Sequence, residues 1–257
     1  MARMSYDEQT AAAYKEVREL PRDGLSEWRE AVRRHLGPSR GMTLVDIGAG
    51  TGVFAAAFTD WFDLTVAAVE PSAAMRDRIP RTPAIQVLEG DASALPLPDQ
   101  SADAVWLSNV VQHIPDLRIA AREIRRVLRP AGPVLIRAGM SHRGGPNRYD
   151  GIELVRWFPE TARTIDTFPS VTDTCTAFAS AGFRRDALEQ VRETWPTSLA
   201  DFLGQLDTFR RADTTMRNLT EDEFRRGEDR LRRAVRHAED TPSPEARSNW
   251  LDLLVLR

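Results

Sequence analysis

Cysteine is almost missing from this chain: Cys175 stands alone among 257 residues. One thiol excludes a disulfide framework and a cysteine-held metal cluster. It also removes the paired thiols that handling arsenic would need. Long apolar runs are missing too. Stretches such as GVFAAAF, residues 52–58, fall far short of the roughly 20 residues that cross a bilayer. The opening MARMSYDEQT has no apolar h-region, so we expect no secretory signal, no membrane partner and a cytoplasmic protein. Lysine is reduced to Lys15, although lysine and arginine together number 35. The arginines are interleaved with acids, as in FRRGEDRLRRAVRH, and the net charge is -3. That pattern reads as solvated helix faces, and no nucleic-acid partner is expected.

What is present has a rhythm. Residues 5–19 and 25–37 read as two helices, the second with Ser26 as N-cap and Gly37 as stop. From residue 43 short apolar runs alternate with helical ones. TLVDIG, LTVAAVE, AIQVLEG, ADAVWLSNV and GPVLIRAG read as strands; GVFAAAFTDWF, SAAMRDRI and DLRIAAREIRRVL read as helices. Apolar strands alternating with helices predict βαβ units and a parallel sheet covered on both faces. After Gly139 the rhythm stops at a turn-rich loop, MSHRGGPNRYDG. Helices over 153–164 and 170–183, a strand over 184–194 and helices over 198–212 and 220–239 follow. Thr220 and Glu223 have capping-box spacing, and NWLDLLVL closes the chain as a strand. One α/β domain over 1–257 is expected, with helical segments over 1–40 and about 192–245 flanking the sheet.

The strongest chemical signal is VDIGAGTG, residues 45–52. Glycines at alternate positions after a strand permit a tight turn and a close backbone approach to a ligand. The helix that follows offers unpaired N–H groups. The spacing is G-x-G-x-G rather than the G-x-G-x-x-G of dinucleotide binders. Asp46 sits directly before the turn, where it would repel a phosphate and attract an ammonium group. Glu70 ends the second strand run, where a carboxylate can accept from both hydroxyls of a ribose, and Asp91 follows the third.

This set resembles the class I S-adenosylmethionine (SAM)-dependent methyltransferases, in particular the subgroup of ubiquinone/menaquinone C-methylases. The resemblance covers about residues 42–139 and includes VLRPAGPVLI before the fifth strand. It implies a Rossmann-like seven-stranded sheet in the order 3-2-1-4-5-7-6, with helical caps from both ends of the chain. It implies SAM as cofactor and S-adenosylhomocysteine as product. By resemblance, Asp46, Gly48, Ala49, Gly50 and Gly52 cradle the methionine moiety. Glu70 holds the ribose beside Pro71, Met75 packs on the adenine, Asp91 meets its amino group and Ala92 supplies a backbone contact. Ser108 and Asn109, in LSNVVQHI, lie beside the sulfonium. Arg18 and Tyr14, on a helix that closes as a lid, reach the methionine carboxylate or the substrate. The stretch 41–139 is then the SAM-binding core and 140–257 the substrate-side half.

Methyl transfer needs a positioned nucleophile, and a base only when that nucleophile carries a proton that is hard to remove. His113 is the candidate base, with strand-end packing as its alternative role; Tyr14 is the second catalytic candidate. Tyr6, Trp28, His113, His142, Tyr149 and Trp195 are candidate substrate contacts. For Tyr6 and Tyr14 the alternative is an amphipathic helix packed on the sheet; for Trp28 it is the core; for His142 and Tyr149 it is a solvated loop. No NPPY motif follows the fourth strand run and no Asp-Asp-Asn metal set is legible, so amino-methylation of DNA bases and a magnesium-dependent catechol methylase are disfavoured. The arginine-rich composition and large cap look like actinomycete natural-product enzymes. The acceptor expected is a small organic molecule, with C-methylation of an electron-rich aromatic such as an indole in view. Cyclisation without methyl transfer, or O- or N-methylation of a polyketide or sugar, stays open. So does the choice between monomer and homodimer.

Overall fold

The computed structural model describes residues 7–18, 22–140, 152–195, 198–240 and 247–257. The strands are β1 (Thr43–Ile47), β2 (Thr65–Val69), β3 (Ile85–Leu88), β4 (Ala104–Ser108), β5 (Val134–Ala138), β6 (Arg185–Trp195) and β7 (Arg247–Leu256). They form one seven-stranded sheet in the order β3-β2-β1-β4-β5-β7-β6. β7 runs antiparallel to β5 and β6, and the remaining pairs are parallel. This is the expected sheet. Its apolar strands are explained by the helices on both faces.

The helices are α1 (Glu8–Arg18), α2 (Ser26–Leu36), α3 (Val53–Phe62), α4 (Ala73–Arg76), α5 (Leu117–Val127), α6 (Glu153–Trp157), α7 (Ala162–Ile165), α8 (Val171–Ala179), α9 (Leu199–Gly204), α10 (Leu206–Ala212), α11 (Thr214–Arg217) and α12 (Glu221–Asp240). On one face of the sheet, Ile124 and Val127 of α5 and Phe178 of α8 pack with Val105 and Leu107 of β4. On the other, Trp28 of α2 and Phe54 and Phe58 of α3 close around Trp106 of β4. The Trp28 and Trp106 rings meet edge to face, 6.0 Å between centroids. A third core lies off the sheet and joins α1 to the late helices: Ala13 and Val17 pack with Phe158, Phe202, Leu206, Phe209 and Leu231.

Several local expectations shift. Leu25, at the end of a 3-10 turn, takes the α2 N-cap position without a side-chain bond, so Ser26 is the first helical residue rather than the cap. Gly37 does end α2, left-handed at φ 56. The helix expected over 198–212 breaks at Gln205 into α9 and α10. The capping box forms: Thr220 N–H donates to Glu223 Oε2 at 2.8 Å and Glu223 N–H to Thr220 Oγ1 at 3.3 Å. β4 stops at Ser108, so Val110 and Val111 lie beyond the strand and His113 ends a 3-10 turn. Asp116 then caps α5, accepting from the Arg118 and Ile119 N–H groups at 2.8 and 3.3 Å.

Candidate active site

The glycine loop is fastened to the neighbouring strand. The Gly48 and Ala49 N–H groups donate to the Val69 carbonyl at 2.8 and 3.2 Å. Gly48 is left-handed at φ +68, and a Cβ there would fall inside the Val110 side chain. Val110 therefore takes up the space a side chain would need at Gly48, whereas at Gly50, φ +57, nothing lies within 4 Å of the Cβ position and the backbone is open. Next to it, Glu70 is buried directly after β2. Its Oε2 accepts from the Gly50 N–H and its Oε1 from the Ser72 N–H, both at 2.9 Å. Burial raises the Glu70 carboxyl above the usual range, against these two bonds and Arg76. The two N–H donors fix its orientation.

A cleft of about 510 Å³ opens over this arrangement. Glu70, Pro71, Met75, Asp91 and Ala92 line one end; Gly48, Gly50, Ser108 and Asn109 line the other. Met75 is buried, with its N–H on Ser72 Oγ at 3.3 Å. Asp91 Oδ1 accepts from the Ser93 N–H at 2.7 Å. A second cavity, of about 370 Å³, lies alongside. Tyr14, Gly48, Gly50, Ser108, Asn109 and His113 border both. Ala49 and Asp46 border the second only.

Asp46 is 2% exposed, and its Oδ2 is buried without a hydrogen-bond partner. Burial, with Glu70 adding to it, pushes its carboxyl from 3.8 up to about 8. This corrects the picture of a standing anion: without a cation nearby Asp46 is mostly protonated at neutral pH. A buried acid with one unpartnered oxygen, near the open backbone of Gly50, fits the ammonium end of an amino-acid moiety, which would restore its charge. Glu70 fits two hydroxyls, and Met75 with Ala92 fits a flat ring. The residues present therefore fit SAM.

Other expected residues are placed differently. Gly52 lines neither cavity; it caps α3 at φ 82, close against Ile79 and Pro80, so its part is in packing. Trp28 is a correction: it is fully buried against Trp106 and walls neither cavity. The aromatic side of α2 faces the sheet because Trp106 offers it a partner there. Tyr6, His142 and Tyr149 lie outside the described residues, as do the side chains of Arg18 and Trp195.

The sequence reading missed a buried ion pair beside the shared wall. Arg137 on β5 reaches over β7 to Glu193 on β6. Arg137 Nε donates to Glu193 Oε1 at 2.7 Å, its Nη2 donates to the same oxygen, and its Nη1 donates to Ser108 Oγ at 2.9 Å. Its carbonyl accepts from the Asn109 N–H at 2.7 Å, which holds Asn109 left-handed at φ 51. The guanidinium lies 5.2 Å from the ring centroids of both Trp28 and Phe54. The available signal was a lone charge in the apolar run GPVLIRAG.

A family model for a methyltransferase domain matches residues 45–136. A demethylmenaquinone methyltransferase of Renibacterium salmoninarum is 33% identical over 184 residues, covering 66% of this chain and 77% of that protein. A ubiquinone/menaquinone biosynthesis C-methyltransferase of Caulobacter vibrioides is 36% identical over 121 residues, covering 42% of this chain and 48% of that protein. The chain thus spans about half the length of the latter relative. Among solved structures, a methyltransferase-fold chain named for an antibiotic biosynthesis pathway of Anabaena variabilis superposes with a TM-score of 0.68 at 20% identity, covering 89% of this chain and 95% of that one. That likeness shows the fold. Glycine loop, strand-end acids, sheet order and sequence relatives agree, and the chain belongs to the class I SAM-dependent methyltransferases.

Proposed function

We propose that this chain transfers the methyl group of SAM to a small organic acceptor held in the second cavity. One observation carries the reading: the cleft that fits SAM and the second cavity share a wall that includes Ser108, Asn109, Tyr14 and His113. When bound, SAM supplies a methyl group already activated by positive sulfur. The work left to the protein is alignment and exclusion of water. Glu70 would receive the ribose hydroxyls, Met75 and Ala92 would flank the adenine, Asp91 would meet its amino edge, and Asp46, which borders the second cavity only, would pair with the amino group where the cleft joins that cavity. Arg137 steadies the shared wall through Ser108 and Asn109. Tyr14 and His113 border both cavities and orient the acceptor atom. We take His113 as the group that accepts the proton an electron-rich carbon sheds after gaining a methyl group, a role supported by its position on the lining of both cavities.

Phe168, Phe202 and Phe209 line the second cavity, which supports a ring-bearing acceptor. We take that acceptor to be a natural-product intermediate, with C-methylation of an electron-rich aromatic such as an indole as the reaction. Among the described residues no helix is long and apolar enough to cross a membrane, and the proposed setting is the cytoplasm.

Incubation with methyl-labelled SAM and a panel of indoles, read by mass spectrometry, tests the chemistry. Label in the product supports transfer; an unlabelled, ring-closed product assigns cyclisation instead. Calorimetry with S-adenosylhomocysteine tests the cofactor site. No binding, or unchanged binding in Glu70→Ala, overturns the reading.

A further inference from the structure

The ion pair beside the shared wall leaves one oxygen over. Arg137 Nε and Nη2 both donate to Glu193 Oε1, while Nη1 donates to Ser108 Oγ. Among the described residues no hydrogen bond reaches Glu193 Oε2. The Glu193 side chain is only 2% exposed. Yet this oxygen is not sealed in without a partner, as Asp46 Oδ2 and Thr51 Oγ1 are. It therefore meets open space. Glu193 lines the second cavity and not the first cleft. Its cross-strand neighbour Asn249, and Leu251 further along β7, line the same cavity. This face of β6 and β7 is part of the cavity wall, and Oε2 opens into it.

The guanidinium answers the charge of the carboxylate, so the free oxygen offers lone pairs with no net charge behind them. A neutral donor suits it. In solution water can serve that oxygen. A ring that fills the cavity, against Phe168, Phe202 and Phe209, pushes such water out. With an N–H aimed at Oε2 the hydrogen bond is restored; without one, a strong acceptor is left bare in apolar surroundings. We propose that Glu193 Oε2 determines specificity at the acceptor site. It takes a hydrogen bond from a neutral donor on the acceptor's ring, with an indole N–H as the case in view. Rings of the same shape that lack the donor are rejected. The inference rests on the reading of this cavity as the acceptor site and adds the group by which the acceptor is held. Arg137 holds Ser108 as well, so the oxygen that grips the ring and the wall shared with the cofactor cleft have one fastening.

Indole and benzofuran share a shape and differ in that N–H. The test is calorimetry of each against the full chain saturated with S-adenosylhomocysteine, at pH 7. Indole should bind on the order of tenfold to a hundredfold more tightly. In Glu193→Gln, Arg137 keeps the amide oxygen and an NH2 group faces the cavity, so the preference for indole should vanish. A merely structural pair would weaken both probes and leave their ratio unchanged. If Glu193→Gln fails to fold, Arg137→Met combined with Glu193→Leu, which leaves no buried charge, takes its place with the same expectation. Equal binding, preference for benzofuran, an unchanged ratio in the variant, or no binding of indole up to about 1 mM overturns the inference. Failure to bind S-adenosylhomocysteine is a separate result and overturns the methyl-transfer reading beneath it.

Discussion

Asp46→Asn exchanges a buried acid for an amide of the same shape. In the folded protein, burial first and Glu70 second push this carboxyl from 3.8 to about 8. Unfolding returns it to water and to its ordinary value. Between those values the folded state holds a proton that the unfolded state has lost. Stability therefore falls as pH rises through this window, by up to about 1.36 kcal/mol per pH unit for this one group. Its contribution is complete below about pH 4 and gone above about pH 8. Asparagine does not titrate. From about pH 5 to pH 9 the variant should gain on the wild type by on the order of 4 kcal/mol. Urea denaturation of both proteins without ligand, at three pH values, separates this difference from the titrating groups other than Glu70, whose coupling to Asp46 it includes. A difference that stays flat within about 1 kcal/mol refutes the buried, protonated acid. The same variant lacks the charge that answers an ammonium group. Its affinity for S-adenosylhomocysteine should drop by about tenfold or more, and an unchanged affinity would detach Asp46 from the cofactor.

Gly48→Ala places a methyl inside the Val110 side chain at φ +68. It should cost about 1–3 kcal/mol and weaken S-adenosylhomocysteine binding. Adding Val110→Ala should recover only the steric share, and a thermal melt and titration matching the wild type would refute the fit. His113→Ala should retain S-adenosylhomocysteine affinity and lower turnover of the labelled methyl group; full turnover confines His113 to the role of a turn residue. Glu193→Gln leaves Arg137 buried with its charge unanswered. We expect about 3–5 kcal/mol of lost stability in urea, and a loss under about 1 kcal/mol would show that the pair adds little beyond its shape.

The stretch from Thr43 to Gly139 was readable because its signals are local. Each strand is a short apolar run, most turns carry glycine or proline, and the acids Asp46, Glu70 and Asp91 stand at strand ends. The sheet order came with the family resemblance, since nothing in β7 by itself says that it inserts between β5 and β6. What stayed hidden is set by distance. Arg137 advertised itself as a charge in an apolar strand, but its partner lies 56 residues away, and no local pattern names Glu193. Trp28 sits on an amphipathic helix with arginines nearby, and only the position of Trp106 decides that it faces inward. The break at Gln205 and the short α11, capped by Asp213, also escaped notice, because both depend on how the late helices fold over α1.

The core shared by α1 with the late helices has a mechanical consequence. Tyr14 rides on α1 and packs at the edge of that core, whereas His113 is anchored to the sheet beyond β4. The two candidates for chemistry thus belong to different bodies, one the ceiling and one the floor. Glu8, at the start of α1, is tied to Arg78 by an ion pair of 2.8 Å, a latch on the sheet side. Any motion that lifts the ceiling to admit an acceptor also separates Tyr14 from His113. The wall that Tyr14 and His113 share between the two cavities is then complete only while α1 rests on the late helices.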